Sequence, residues 1–180
     1  MNTVESKLQH ATFGTGCFWC TETMFKSLKG VKEVQPGYCG GNVDNPTYKE
    51  VCSGKTMHVE VIYITYDPTE ITYDYLLQAF WRSHDPTQLN KQGNDVGTQY
   101  RSAIFYHNDD QKEKAEKYKN ILNESGLYST TIVTEISPFV KFYKAESDHL
   151  DYYNQNSESA YCKFVIKPKL DKFKALFNIT

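Results

Sequence analysis

The sequence predicts an α/β fold of the α+β two-layer sandwich kind: helices cover a mainly antiparallel mixed sheet, and a long irregular C-terminal tail follows. Three observations carry that prediction. Strand and helix signals come in mixed order along the chain. No internal repeat, low-complexity tract or Pro/Gly/Ser-rich linker divides it. Its 180 residues amount to about one domain, 1–180, enough to bury a core without staples.

Residues 9–15 read as a strand running into a turn at Gly14 and Gly16. A helix follows over 18–28, with Met24, Phe25 and Leu28 at helical spacing and Gly30 to close it. Residues 31–38 predict a second strand, and Cys39-Gly40-Gly41 with 42–46 a loop. In the strand over 57–66, Val59, Val61 and Tyr63 face one side and His58, Glu60, Ile62 and Ile64 the other. Both faces are largely apolar, which places this strand centrally. Residues 73–83 form a helix on whose face Leu76, Leu77, Phe80 and Trp81 gather, stopped by Asp85-Pro86. Residues 88–97 have neither periodicity and read as a long functional loop before a strand over 100–106. A polar helix over 109–123 is expected to bury Ala115, Tyr118, Ile121 and Leu122, and 130–136 to form another strand. The final forty residues are polar and rich in tyrosine, with one short helix over 168–177 and a movable setting for Cys162.

Composition excludes several function classes. The net charge is −2 with both signs dispersed, so nucleic acid is not an expected partner. Residues 1–7 lack the basic and apolar segments of a secretory signal, and no apolar run reaches membrane-spanning length, so a cytoplasmic protein is expected. Five cysteines, an odd number, argue against a disulfide framework and for redox or metal chemistry. Fourteen tyrosines exceed the needs of a small core, and some are expected to line a polar pocket. Nothing calls for a second copy of the chain, and a monomer is expected.

The most informative stretch is Gly16-Cys17-Phe18-Trp19-Cys20, which sets two thiols one helical turn apart at a helix start. Unpaired N–H groups and the helix dipole there favour the thiolate, the nucleophilic form of cysteine. A lone cysteine is usually a small buried hydrophobe, but two on one helix face, bracketed by glycines, read as a reactive site. Glu60, on a strand flanked by apolar residues, reads as an acid that desolvation keeps protonated near neutral pH.

Four motifs occur in order: Gly16-Cys17-Phe18-Trp19; Pro46-Thr47-Tyr48-Lys49-Glu50-Val51-Cys52-Ser53-Gly54; His58-Val59-Glu60; and Gly93-Asn94-Asp95-Val96-Gly97-Thr98-Gln99-Tyr100-Arg101. Together they resemble the peptide methionine sulfoxide reductase A family, and the resemblance extends to Tyr161-Cys162-Lys163-Phe164. It implies reduction of methionine S-sulfoxide, free or in proteins, with thioredoxin as reductant, no cofactor and no metal. Attack on a weakly electrophilic sulfoxide sulfur requires a nucleophile, here Cys17, and a proton donor, here Glu60. The resemblance adds the Tyr48 and Tyr100 hydroxyls as holders of the sulfoxide oxygen. Asp95 enters the same way, as a polar group ordering its loop. Phe18 and Trp19 are the natural walls for the S-methyl group. His58 reads either as a neighbour of this site or as a satisfied core histidine. Attack leaves Cys17 as a sulfenic acid, which condenses with a nearby thiol. Cys162 matches the family's recycling position and is the preferred resolving residue; Cys20 is the second candidate, for which a regular helix would have to unwind locally. Cys39 and Cys52 have no assigned role.

Two rivals use the same cysteines. Cys17, Cys20, Cys39 and Cys52 together would furnish a zinc set, although the second pair lacks the close spacing of a zinc knuckle. A thioredoxin-like oxidoreductase built on Cys17 and Cys20 would leave Glu60, Tyr48 and Tyr100 without work.

Overall fold

The computed structural model describes residues 7–180, so most of the segment read for a targeting signal, 1–6, lies outside the described residues. The strands are β1 (Gln9–Gly14), β2 (Val31–Cys39), β3 (Val59–Tyr66), β4 (Lys91–Gln92), β5 (Asp95–Val96), β6 (Ala103–Tyr106), β7 (Glu135–Pro138) and β8 (Phe142–Lys144). The helices are α1 (Phe18–Lys26), α2 (Tyr48–Cys52), α3 (Tyr73–Arg82), α4 (Asp109–Glu124), α5 (Tyr152–Gln155) and α6 (Lys167–Leu176). Six strands form one sheet in the order β7-β6-β1-β3-β2-β8, and β4 pairs only with β5. Its pairings are antiparallel except β6 with β7, where α4 lies in the connection and returns the chain in parallel.

As its two-sided apolar pattern predicts, β3 is central, paired with β1 on one side and β2 on the other. Its period of two sends Ile62 and Ile64 into the main core with Phe13, Phe25 and Phe80, under the helices. Val59 and Val61 enter a smaller cluster with Cys39, Ala103 and Phe105, covered by Phe139 and Phe142. Burial of each of the phenylalanines of the main core stabilises by about 1.5–3 kcal/mol. The tail is anchored where Phe173 of α6 meets Phe25 of α1, ring centroids 5.9 Å apart.

Several elements differ from expectation. The strand expected over 130–136 begins only at Glu135, because the preceding residues give their hydrogen bonds elsewhere. There the Ile132 N–H donates to Asn123, the Val133 N–H to the Pro86 carbonyl, and the Thr134 carbonyl accepts from Lys119. Tyr100 lies in a 3-10 turn, so β6 starts at Ala103. Ile121 of α4 is exposed, where burial is expected. Helix α2 and strand β8 are additions, and the tail is more regular than expected, with helical structure running without a break from Cys162 into α6. Among the described residues no helix is long and apolar enough to cross a membrane.

Candidate active site

The site grows from the turn between β1 and α1. Gly16 has φ of 111°, and a Cβ there would lie 2.9 Å from Cβ of Gln92, so the 88–97 loop packs where only glycine fits. The next residue, Cys17, is the N-cap of α1 with extended backbone (φ −60°, ψ 122°), and its carbonyl accepts from the N–H groups of Cys20 and Thr21. The sulfurs of Cys17 and Cys20 are hydrogen-bonded to each other, and Cys17 sulfur is also hydrogen-bonded to the Tyr161 hydroxyl and accepts from the Trp19 N–H.

Burial pushes the Cys17 thiol well above its ordinary range, outweighing the hydrogen bonds with Tyr161 and Trp19. The helix start therefore does not hold a resting thiolate there, contrary to the sequence argument, because desolvation exceeds the help from the N–H groups. The Cys20 thiol is lowered, first by its hydrogen bond with Cys17 and also by the nearby charge of Lys169. The pair thus shares one easily lost proton.

Glu60 sits on the helix-covered face of β3, 1% exposed. One carboxyl oxygen, Oε1, accepts the Phe18 N–H at 3.1 Å, while Oε2 is buried with no partner among the described residues. Burial raises this carboxyl well above the ordinary value, and the neighbouring Cys17 sulfur adds to the effect. The protonated acid that sequence reasoning expects is what this environment favours. Across the β2–β3 ladder, opposite Glu60, the Tyr38 hydroxyl is also buried and unpartnered.

Helix α2 brings Tyr48 to the same place. Its Thr47 side chain accepts the Glu50 N–H at 3.1 Å, and the Glu50 carboxylate accepts the Thr47 N–H at 3.0 Å. Burial, then the negative potential of Glu60, raises the Tyr48 phenol, whose hydroxyl is hydrogen-bonded to Cys52. Tyr100 is half-buried and feels Glu60, Cys52 and Cys17 in turn. Asp95 accepts from the Tyr161 hydroxyl at 3.2 Å and so connects its loop to the group that bonds Cys17.

Phe18 and Trp19 diverge from this point. Phe18 is fully buried, its ring 5.7 Å from Tyr38 and 6.3 Å from Tyr48. Trp19 is half-buried, and its indole N–H donates to Nδ1 of His149 at 3.1 Å. His149 in turn lies 4.3 Å from the Tyr48 ring, so residues of the tail pack against the aromatic wall.

The remaining cysteines separate clearly. Cys162 is fully buried in the main core, at the start of the helical run into α6, rather than in a movable setting. Cys39 is in the cluster on the sheet's other face, its thiol donating to the Lys141 carbonyl and pushed up to about 12 by burial. That position takes it away from Cys17 and Cys20, so the four thiolates of a zinc set do not converge. Cys52 is exposed and bonded to Tyr48, a closeness that sequence reasoning did not assign. His58 is a satisfied core histidine: Nδ1 accepts the Gly41 N–H and Nε2–H donates to the Val43 carbonyl. Tyr161 and His149 are the contacts that sequence reasoning missed. For Tyr161 the available signal is its place beside Cys162; for His149 there is none.

The site's motifs and fold are both matched among known proteins. Mxr1 from Saccharomyces cerevisiae in reduced form superposes with a TM-score of 0.81 at 34% identity, covering 89% of this chain and 92% of that one. Mxr1 in complex with Trx2 superposes with a TM-score of 0.58 at 25% identity, covering 84% and 89%. A peptide methionine sulfoxide reductase MsrA of Haloquadratum walsbyi is 53% identical over 168 residues, 93% of this chain and 95% of that protein. With a peptide methionine sulfoxide reductase profile matching residues 9–179 as well, the chain belongs to that family.

Proposed function

We propose that this protein reduces methionine S-sulfoxide, free or within proteins, to methionine, and so repairs proteins after oxidation. The observation that carries the reading is the buried, unpartnered Oε2 of Glu60, on a carboxyl close enough to Cys17 for that sulfur to favour its neutral form. A sulfoxide oxygen is the acceptor that such a protonated oxygen needs.

Cys17 sulfur attacks the sulfoxide sulfur while Glu60 gives its proton to the oxygen. Tyr48 and Tyr100 hold that oxygen as charge develops on it, and Asp95 positions Tyr161 beside Cys17. The hydroxyl then passes from the sulfoxide sulfur to the Cys17 sulfur as the S–O bond and the newly formed S–S bond break. The S–S electron pair stays on the substrate sulfur, methionine leaves, Cys17 is left as sulfenic acid, and Glu60 regains the proton that Cys17 gave up. Phe18 and Trp19 wall the S-methyl group, with Trp19 available once the tail aromatics give way.

Cys20 then displaces water from the sulfenic acid, forming a Cys17–Cys20 disulfide. The extended backbone of Cys17 supports this order, since an N-cap is outside the regular helix that would forbid the bridge. Cys162 acts afterwards, by exchange. Thioredoxin is the reductant, a reading supported by the likeness to Mxr1 in its complex with Trx2. The chain works as a single catalytic domain and as a monomer, in the cytoplasm; five cysteines without a disulfide among them suit a reducing compartment.

The test is dithiothreitol-dependent reduction of each separated epimer. The S epimer is consumed by the wild-type protein and not by Cys17→Ser; equal activity of the two proteins would overturn the assignment.

A further inference from the structure

The dithiol has a second approach. A cavity of about 490 Å³ reaches both Cys17 and Cys20, and its lining includes none of Glu60, Tyr48, Tyr100 or Trp19. That volume suits a small molecule. Arg82, Lys169 and Lys172 line it, and among the described residues none of the three is held in an ion pair. Asp85 is the one carboxylate in the lining, and its oxygens are already taken. Oδ1 accepts from the N–H and hydroxyl of Thr87 at 3.0 and 2.6 Å, and Oδ2 from Gln88 at 3.2 Å. The cavity is therefore a cationic mouth with a redox-active floor, and Lys169 is near enough to Cys20 to act on its sulfur.

We propose that this cavity admits a small anionic thiol, which regenerates the enzyme by attacking the sulfur of Cys20. The inference rests on the Cys17–Cys20 disulfide of the proposed function and names a second class of reductant for it. The incoming thiol loses its proton to water and its sulfur bonds to Cys20. The Cys17–Cys20 bond breaks, and the electron pair leaves on Cys17, where the Tyr161 hydroxyl and the Trp19 N–H receive it. A second thiolate attacks the first thiol's sulfur and releases Cys20. Two thiols are oxidised to one external disulfide, two cysteines are reduced, and the two thiolates take up the two protons released. Three cations against the single Asp85 carboxylate leave the lining net positive, which raises the local concentration of anions and favours such a thiol over a neutral one.

The experiment follows recovery of free thiols in enzyme oxidised by one equivalent of methionine S-sulfoxide. The reductants are 2-mercaptoethanesulfonate, which is anionic, and 2-mercaptoethanol, its neutral counterpart. Expressed as the ratio of the two rates, the wild type prefers the sulfonate, and added salt erodes the preference. In Arg82→Ala/Lys172→Ala the ratio falls about fivefold, since one charge pair at 4 Å in a watery mouth contributes about that factor. Taking the ratio cancels any change in the reactivity of Cys20 itself. A ratio unchanged in the double variant, or equal rates for the two thiols in the wild type, would overturn the cavity's role. A wild-type protein that forms no methionine in the initial oxidation would instead overturn the activity on which the inference rests.

Discussion

Trp19 lies flat on Tyr152, with 3.7 Å between ring centroids and 6° between ring planes. Tyr152 opens α5, so the wall expected to receive a methyl group is covered by the chain's own tail. Two further contacts fix the tail there. The Asp151 N–H donates to the Glu22 carboxylate at 3.1 Å, and His149 accepts from the Trp19 indole. With Trp19 in its proposed role as a wall for the S-methyl group, substrate and tail compete for one aromatic surface.

Removing the competitor has a defined effect. A stacked aromatic pair contributes about 0.5–1.5 kcal/mol beyond area burial, so Tyr152→Ala should lower KM for methionine sulfoxide about two- to tenfold. Trp19 fluorescence should shift to longer wavelength as well, with buried Trp81 as an unchanging background. Steady-state kinetics and emission spectra check both, and a raised KM would mean that Tyr152 helps to build the binding surface.

The carboxyl of Glu60 makes an activity prediction and a stability prediction. Glu60→Gln keeps an oxygen for the Phe18 N–H but has no proton to give, so the single-turnover rate at pH 7 should fall about 10²- to 10⁴-fold. In the wild type that rate should decline as pH rises through the raised Glu60 value, and the decline should be absent in the variant. The folded-state value lies above the ordinary 4.5, so the protonated form is favoured by folding. Stability from this group is complete below pH 4.5 and is lost as pH rises toward the folded-state value. Glu60→Gln should accordingly match the wild type in Tm at pH 4 and exceed it at pH 8, which thermal unfolding at the two values tests.

What the sequence made legible is the part governed by period and by short-range chemistry. Alternation in 57–66 placed β3 centrally and set Glu60 on the helix-covered face, and the glycine-flanked Cys17 marked the start of α1. Helix α2 was equally written there, in Thr47 and Glu50, but five residues are too few to carry a helical period. The hidden part depends on contacts distant in sequence. His149 and Tyr152 meet Trp19 across more than a hundred residues, and no local pattern encodes that approach. Burial of Cys17, which outweighs the helix start, is likewise a property of the packed core. The same is true of the division of the thiols between the two faces of the sheet.

That division sets an order of chemical reactivity. Cys52 is exposed, whereas Cys39 and Cys162 are buried. Iodoacetamide at pH 8 should label Cys52 well ahead of Cys39 and Cys162 and leave those two unmodified until the protein unfolds, as peptide mass mapping would register. Cys39→Ser should leave methionine sulfoxide reduction unchanged, because its thiol lies on the far face of the sheet and hydrogen-bonds the Lys141 carbonyl there. Early labelling of Cys39 would show that this face opens readily.

The resolving step separates Cys20 from Cys162. Cys20 sulfur already touches Cys17 sulfur, so the first bridge requires only a side-chain rotation at an N-cap. Cys162 must leave a fully buried position at the head of a helical run before it can exchange. One equivalent of methionine sulfoxide should therefore leave Cys162→Ser with a Cys17–Cys20 disulfide, seen by mass mapping. In Cys20→Ser the same treatment should leave a Cys17 sulfenic acid long enough for dimedone to capture it. Recycling by thioredoxin should slow at least tenfold in Cys162→Ser if exchange to that residue is obligatory, because the Cys17–Cys20 bridge is buried. Rapid disulfide formation in Cys20→Ser, with no trapped sulfenic acid, would make Cys162 the direct partner of Cys17 and require the tail to move before the first bridge forms.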